Sequence, residues 1–154
     1  MESLFLQYAF IFFVSMVPFA EVFVTVPVGT IVFNLPIFNV LAVAIIGNII
    51  SVFFFIFFGS EFNKFFIKFR KTDKPPKEIN PKIKQSLDRF GATGVSFLSS
   101  LLFSSQLGAG ALMSFGASKS RVLFWTGAGV TTLAGIMAIL SVTAEELVIS
   151  LVNL

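Results

Sequence analysis

The chain has 154 residues, of which 56% are hydrophobic and only 12% are charged, whereas soluble domains carry roughly 25% charged residues. It contains no Cys and no His, so disulfides, iron–sulfur clusters, thiolate or imidazole metal ligands and cysteine or histidine catalysis are excluded, and no cofactor is expected. The net charge is +3, but the basic residues are concentrated between apolar segments, and we expect no nucleic-acid partner.

Three stretches without charge indicate a membrane protein. They cover residues 22–60, 90–118 and 122–144, and each reaches the roughly 20 residues that cross a hydrocarbon core about 30 Å thick. The sequence therefore predicts an all-α integral membrane protein with one membrane domain, residues 1–154. We expect it to cross the cell membrane several times and to be surrounded by membrane lipids.

The first predicted repeat, residues 1–59, begins with an apolar segment that Pro18, Pro27 and Gly29 interrupt. Backbone groups freed by proline or glycine at membrane depth must be buried in protein or line a wet cavity. The segment 26–30 is therefore a candidate cavity lining, and a simple packed kink is the alternative. Ile37 to Phe58 follows as a spanning helix.

Glu21 is the only charged side chain between Leu4 and Ser60. Acids inside membrane segments are costly and usually functional. Three roles are open for Glu21: exchange of a proton, attraction of a cationic substrate, or an ion pair with Arg121. The alternative is that Glu21 lies near the outer interface, where it is solvated and has no functional role.

The segment 60–89 holds nine of the eleven Lys and Arg residues and is predicted to be a cytoplasmic loop. Asn80 and Pro81 predict an N-cap followed by proline in the first helical position. We expect an amphipathic helix there, lying in the membrane interface.

The second predicted repeat, residues 90–154, begins with an apolar stretch that is basic on both flanks. Its 29 residues, 90–118, are too few for two crossings, so we predict a re-entrant hairpin with its tip at residues 104–111. Val122 to Val142 would then cross the membrane outwards. Thr143 and Glu146 predict a capping box that opens a separate C-terminal helix.

The two halves therefore share one plan, a broken hairpin followed by a spanning helix, and the charge pattern gives their spanning helices opposite directions. Paired broken segments in inverted halves are typical of secondary transporters. Two unrelated hydrophobic hairpins are the alternative.

The remaining candidate residues lie in the second half. Lys119 and Arg121 are either cytoplasmic anchors or, for Arg121, a ligand for phosphate or carboxylate. Gly108 and Gly110 lack the third glycine of a dinucleotide fingerprint. No nucleophile–base pair is available in the apolar segments, so we do not expect an enzyme.

The first half resembles the small multidrug export protein family, itself similar to the DedA superfamily. The resemblance lies in the motif Pro18, Glu21, Pro27, Gly29, followed by Leu35-Pro36 and Gly47-Asn48. Residues 108–111 are similar to the end of the family's second hairpin tip. The sequence departs from the family at Phe23, where a basic residue is usual, and at residues 104–106, where prolines are usual.

The resemblance implies paired re-entrant hairpins that move lipid-linked or other small substrates. The expected binding residues for substrate or proton are Glu21, Pro27, Gly29, Asn48, Gly108, Gly110 and Arg121. The leading hypothesis is a small transporter or lipid translocase that forms a homo-oligomer. The alternative is a non-catalytic accessory or scaffolding subunit of a larger membrane complex.

Overall fold

The computed structural model describes the backbone of residues 2–69 and 81–152, and the side chains of residues 3–58 and 90–146. All regular structure in the described residues is helical, as predicted. It comprises six α-helices and one π-helical turn: α1 Glu2–Ser15, α2 Glu21–Pro27, the π-turn Val28–Val32, α3 Ile37–Phe69, α4 Pro81–Leu102, α5 Ser105–Ser114 and α6 Lys119–Val152.

Two of these helices are long and apolar enough to cross a membrane. The apolar part of α3 is Ile37–Phe58, and that of α6 is Lys119–Glu146. The first has the predicted bounds, and the second includes the predicted span from Val122 to Val142. The sequence thus located both candidate spanning helices correctly.

A break precedes each of these long helices. Residues 16–20 separate α1 from α2, and residues 103–104 separate α4 from α5. The second break lies at the beginning of the predicted tip, because Ser104 adopts an extended conformation with φ −160° and ψ 125°. Both halves therefore run in the order helix, break, short helix, long helix. Their inverted relation and re-entrant course stay predictions.

The predicted interruption at Pro27 and Gly29 is a change of helix type and not a break in the helical path. Helix α2 ends at Pro27 and the π-turn Val28–Val32 follows directly, with the Phe33 N–H bonded to the Val28 carbonyl oxygen at 3.0 Å. The Thr30 hydroxyl donates to the Val26 carbonyl oxygen at 2.9 Å. Single π-turns of this kind occur within helical runs, so the chain remains helical past Pro27.

The predicted C-terminal helix opened by Thr143 is wrong, since α6 is continuous from Lys119 to Val152. The Thr143 hydroxyl donates backwards to the Ile139 carbonyl oxygen. Threonine can satisfy its hydroxyl in this way inside a helix, so the same residue serves the middle of a helix as well as its start.

The basic segment is only partly described. Helix α3 continues past Phe58 to Phe69, and α4 begins at Pro81, the predicted first position. Gly91, with φ 65° and ψ 175°, separates the first part of α4 from its apolar part. Residues 70–80, and the side chains on which the amphipathic prediction depends, lie outside the described residues.

The buried apolar side chains form two clusters. The larger joins α1, α2, α3 and α6, and the smaller joins α3, α5 and α6. Small residues bring the helices close together: a Cβ at Gly47 would meet the Ser15 side chain and the Phe12 carbonyl oxygen of α1, and one at Gly129 would meet the Phe97 carbonyl oxygen of α4.

Substitution of Gly47 by Ala should therefore push α1 away from α3. We expect the free energy of unfolding to fall by about 1–3 kcal/mol, the usual effect of overpacking. The matched control is Gly135→Ala, because a Cβ at Gly135 meets nothing within 4 Å. Thermal unfolding in detergent measures both variants, and equal midpoints would contradict the packing.

Candidate functional site

Glu21 is buried, with 3% of its surface exposed, and its carboxylate lies against the beginning of α5. Oε1 accepts a hydrogen bond from the Ser105 backbone N–H at 2.9 Å and lies 2.8 Å from the Ser104 hydroxyl oxygen. Oε2 lies 2.8 Å from the Ser105 hydroxyl oxygen. An acid from the first half is thus joined to the break in the second half.

The beginning of α5 is suited to this contact. Ser104 is its N-cap, and the Ser104 side chain accepts from the Leu107 N–H at 3.5 Å. The first N–H groups of a helix have no partner inside the helix, and its N-terminus carries partial positive charge. Glu21 supplies one of these missing acceptors from a segment 84 residues away.

The backbone at Glu21 is unusual. Its φ is 39°, and that of Phe19 is 70°, in the left-handed region that side chains other than glycine rarely adopt. Such conformations cost of order 1–3 kcal/mol and persist where surrounding contacts hold them. The three hydrogen bonds of the Glu21 carboxylate provide those contacts.

Two buried amide side chains extend the site towards α1. Asn48 Nδ2 donates to the Ser15 carbonyl oxygen at 3.3 Å, and Asn48 Oδ1 lies 3.1 Å from the Ser105 hydroxyl. Gln106 Nε2 lies 3.5 Å from the Met16 carbonyl oxygen, and Gln106 Oε1 lies 3.1 Å from the Ser104 hydroxyl. The unpaired carbonyls at the end of α1 thereby connect to α3 and α5.

A cleft of about 220 Å³ opens beside Glu21. Its lining is apolar apart from Glu21 and Ser100, and consists of Phe19, Glu21, Phe23, Ser100, Leu101, Leu102, Phe103 and Leu133. Phe19, Phe23 and Phe103 are exposed. An acid next to aromatic side chains suits a small cation or an amphipathic cationic group.

The structure brings Asn48 to Glu21, as the prediction of a shared site requires, but it does not bring Arg121 there. Arg121 is exposed in the first turn of α6, whereas the α6 residue on the cleft is Leu133. Arg121 and Leu133 are twelve positions apart on α6, which is about 18 Å along the helix axis at 1.5 Å per residue. The hypothesis of a Glu21–Arg121 ion pair is therefore wrong in this conformation.

The predicted proline and glycine residues lie around the site and not on the cleft. A Cβ at Gly29 would clash with Val40 and Ile11, and one at Gly108 would clash with Ser99. A Cβ at Gly110 would be in ordinary van der Waals contact with Phe55, at 3.8 Å, and Pro27 is the last residue of α2. Gly29 and Gly108 are packing positions: Gly29 lets the π-turn lie against α3 and α1, and Gly108 lets α5 lie against α4.

The sequence did not identify Ser104, Ser105 and Gln106 as ligands of the site. It placed them only in the predicted hairpin tip and at the positions where the family has prolines. All three are buried. The signal available was their position, since Ser-Ser-Gln is a polar run inside an apolar stretch. Buried polar groups require partners, and a run of polar residues opposite a lone acid supplies them.

Substitution of Ser105 by Ala should destabilise the protein, because it removes the hydroxyl that pairs with Glu21 Oε2. Leaving a buried polar group unpaired costs about 1–3 kcal/mol. The matched control is Ser114→Ala on the same helix, whose exposed hydroxyl bonds only to the Gly110 carbonyl oxygen. Unfolding midpoints in detergent compare the two, and an equal loss in both would contradict this role for Ser105.

Comparison with known proteins adds no family to this site. No protein-family model, no curated protein and no solved structure matches the chain. What Glu21 and its neighbours do is therefore inferred from their own chemistry and geometry.

Proposed function

We propose that the chain is an integral membrane protein of two inverted repeats and that it transports a small substrate or translocates lipid. In this proposal it works in the manner of the small multidrug export and DedA-like proteins that its first half resembles. Glu21 couples the movement of substrate to a proton, and the molecule works as a homo-oligomer in the cell membrane.

The membrane setting is supported by the surface of the described helices. Large apolar side chains are exposed on both halves, among them Phe38 with 81% and Phe124 with 69% of their surface accessible. Water would disfavour such a surface, whereas hydrocarbon is its natural solvent. The two long apolar helices are of the length that a bilayer needs.

The observation that carries the transport proposal is the attachment of Glu21 to Ser104 and Ser105. It is an acid inside the apolar part of the molecule, and it meets the break of the opposite half. Secondary transporters place their substrate and ion sites where broken helices of two repeats meet. Intramembrane acids are a marker of ion and substrate pathways.

The cleft supports a role in binding. Its apolar lining and its single acid suit a substrate with a hydrophobic body and a cationic or proton-exchanging group. Such a group would compete with the serine donors for the carboxylate. When the substrate replaces Ser104 and Ser105 at the carboxylate, the beginning of α5 is released from Glu21, and it is attached again when the substrate leaves. The contact between the two halves would thus open and close with substrate binding.

The test uses purified protein in lipid vesicles and two probes. One probe is tetraphenylphosphonium, driven by a pH gradient, and the other is a fluorescent phospholipid whose transfer between leaflets is followed by quenching. We expect wild-type protein to accelerate at least one of them, and Glu21→Gln to return that rate to the level of empty vesicles. The matched control is Glu145→Gln, since Glu145 is exposed and should leave the rate unchanged.

Two results would contradict the proposal. One is a wild-type rate equal to that of empty vesicles for both probes. The other is full activity in Glu21→Gln protein, because the acid would then have no part in transport.

The orientation has its own test. We expect residues 60–89 on the cytoplasmic side and Glu145 and Glu146 on the outside, because Lys and Arg favour cytoplasmic loops. The chain lacks Cys, so Lys77→Cys and Glu145→Cys are labelled separately in intact cells with a membrane-impermeant thiol reagent. Labelling of position 145 alone is expected, and labelling of position 77 alone would reverse the topology.

A second candidate function is that of an accessory subunit, and one surface of α3 favours it. Phe53, Phe54, Phe57 and Phe58 are all exposed there, with Phe53 and Phe57 stacked at 4.3 Å between ring centroids. Aromatic side chains of this kind are enriched at protein interfaces. Purification under mild conditions distinguishes the two functions: stoichiometric foreign subunits favour the accessory role, and a homo-oligomer favours the transporter.

A further inference from the structure

The cluster around Ser104 and Ser105 contains more hydrogen-bond acceptors than donors. Its acceptors are Glu21 Oε1 and Oε2, Asn48 Oδ1 and Gln106 Oε1, each within 3.2 Å of a serine hydroxyl. Its donors are the Ser105 N–H and the two hydroxyls, and each hydroxyl has a single hydrogen. The N–H serves Oε1, which leaves two hydrogens for the other three oxygens.

The conflict is sharpest at the Ser105 hydroxyl. It lies 2.8 Å from Glu21 Oε2 and 3.1 Å from Asn48 Oδ1, and it can donate to only one of them. The Ser104 hydroxyl can serve Gln106 Oε1 at 3.1 Å. With Glu21 ionised, either Oε2 or Asn48 Oδ1 thus lacks a donor.

The two amides cannot remove this conflict by turning over. Asn48 Nδ2 faces the Ser15 carbonyl oxygen, and Gln106 Nε2 faces the Met16 carbonyl oxygen and the Ser51 hydroxyl. Ser51 itself donates to the Met16 oxygen at 2.9 Å. Backbone carbonyls accept only, so a turned amide would place oxygen against oxygen.

We infer that Glu21 Oε2 carries a proton in this conformation, and that the proton is a latch between the two halves of the molecule. Oε2–H donates to the Ser105 hydroxyl oxygen, the Ser105 hydrogen goes to Asn48 Oδ1, and the Ser104 hydrogen goes to Gln106 Oε1. All four acceptor oxygens then have a donor. One added hydrogen completes the cluster.

Release of the proton undoes this arrangement in a defined order. The charged Oε2 takes the Ser105 hydrogen, because hydrogen bonds to an ionised acceptor are the stronger. Asn48 Oδ1 is left buried without a donor, which disfavours the contact between α3 and α5. Loss of the proton therefore loosens the beginning of α5 from α3.

No other charge governs this latch within the part of the chain whose side chains are described. The charged groups there besides Glu21 are Lys119, Arg121, Glu145 and Glu146, all exposed on α6. Tyr8 on α1 lies by the Asn39 side chain at 3.2 Å. Among the described side chains of α2, α3, α4 and α5, those that face Glu21 are neutral.

The latch rests on the Glu21 site of the proposed function, but it is measured without transport. Infrared difference spectra of the protein in phosphatidylcholine vesicles, recorded as the pH is raised, detect the carbonyl stretch of a protonated carboxyl group. We expect such a band at neutral pH in the wild type and in Glu145→Gln, and its absence in Glu21→Gln.

Asn48→Ala tests the donor count itself. Without Asn48 Oδ1, the Ser105 hydroxyl can serve ionised Glu21 with no acceptor left over, so the band should disappear at a lower pH than in the wild type. The matched control is Asn39→Ala on the same helix, since the exposed Asn39 side chain bonds to the Tyr8 hydroxyl and not to the cluster, and it should leave the midpoint unchanged. An unchanged midpoint in Asn48→Ala would overturn the latch.

Hydrogen exchange of the α5 amides tests the coupling. Glutamine at position 21 donates to the Ser105 hydroxyl oxygen as the protonated acid does. The α5 amides of Glu21→Gln should therefore keep their protection factors at high pH, whereas those of the wild type should fall. Equal protection in both proteins, absence of the band in the wild type, or its loss on adding sodium ions at constant pH would overturn the inference. If the latch holds and neither probe moves, only the transport proposal fails.

Discussion

A buried carboxyl group must find donors, and in this molecule it finds them across the boundary between two halves of the chain. Glu21 bonds to Ser104 and Ser105, and the surrounding structure follows from that requirement. The left-handed backbone at Glu21 aims the acid at α5. The extended Ser104 exposes the first N–H groups of α5 to it. Each local distortion would be unfavourable alone, and each is stabilised by the contact that it permits.

Close approach of the helices is the second condition for this contact. Gly47 lets α3 lie against the end of α1. The Asn48 and Gln106 amides are then close to the Ser15 and Met16 carbonyl oxygens. Gly108 lets α5 lie against Ser99 of α4. A larger residue at either position would separate the layers by more than a hydrogen bond tolerates. The glycine pattern therefore serves the polar site from outside it, by setting distances.

The sequence was sufficient to predict the helical class and both long apolar helices, and it singled out Glu21, because composition, length and an isolated charge are local properties. It did not predict the partners of Glu21, since Ser105 is 84 residues away and a single sequence carries no record of that proximity. Thr143 and Pro27 were misjudged for another reason. A threonine hydroxyl can cap a helix or bond back within it, and the chain after a proline can leave the helix or continue as a π-turn, so tertiary packing decides between these outcomes.

The choice of partners also bears on what the acid can do. An arginine beside a buried carboxylate would form a pair that is costly to break, because separation leaves an uncompensated charge on each side. Hydroxyls and amides hold the carboxyl without fixing its charge, since a serine can donate to an ionised oxygen or accept from a protonated one. In the proposed membrane setting, Glu21 can therefore change its protonation state while the Ser105 hydroxyl reverses its hydrogen bond to Oε2, and Asn48 Oδ1 gains or loses its donor with that reversal. The distance of Arg121 from Glu21 is consistent with that need. A permanent ion pair would hold the two halves together, whereas this site can join them and release them.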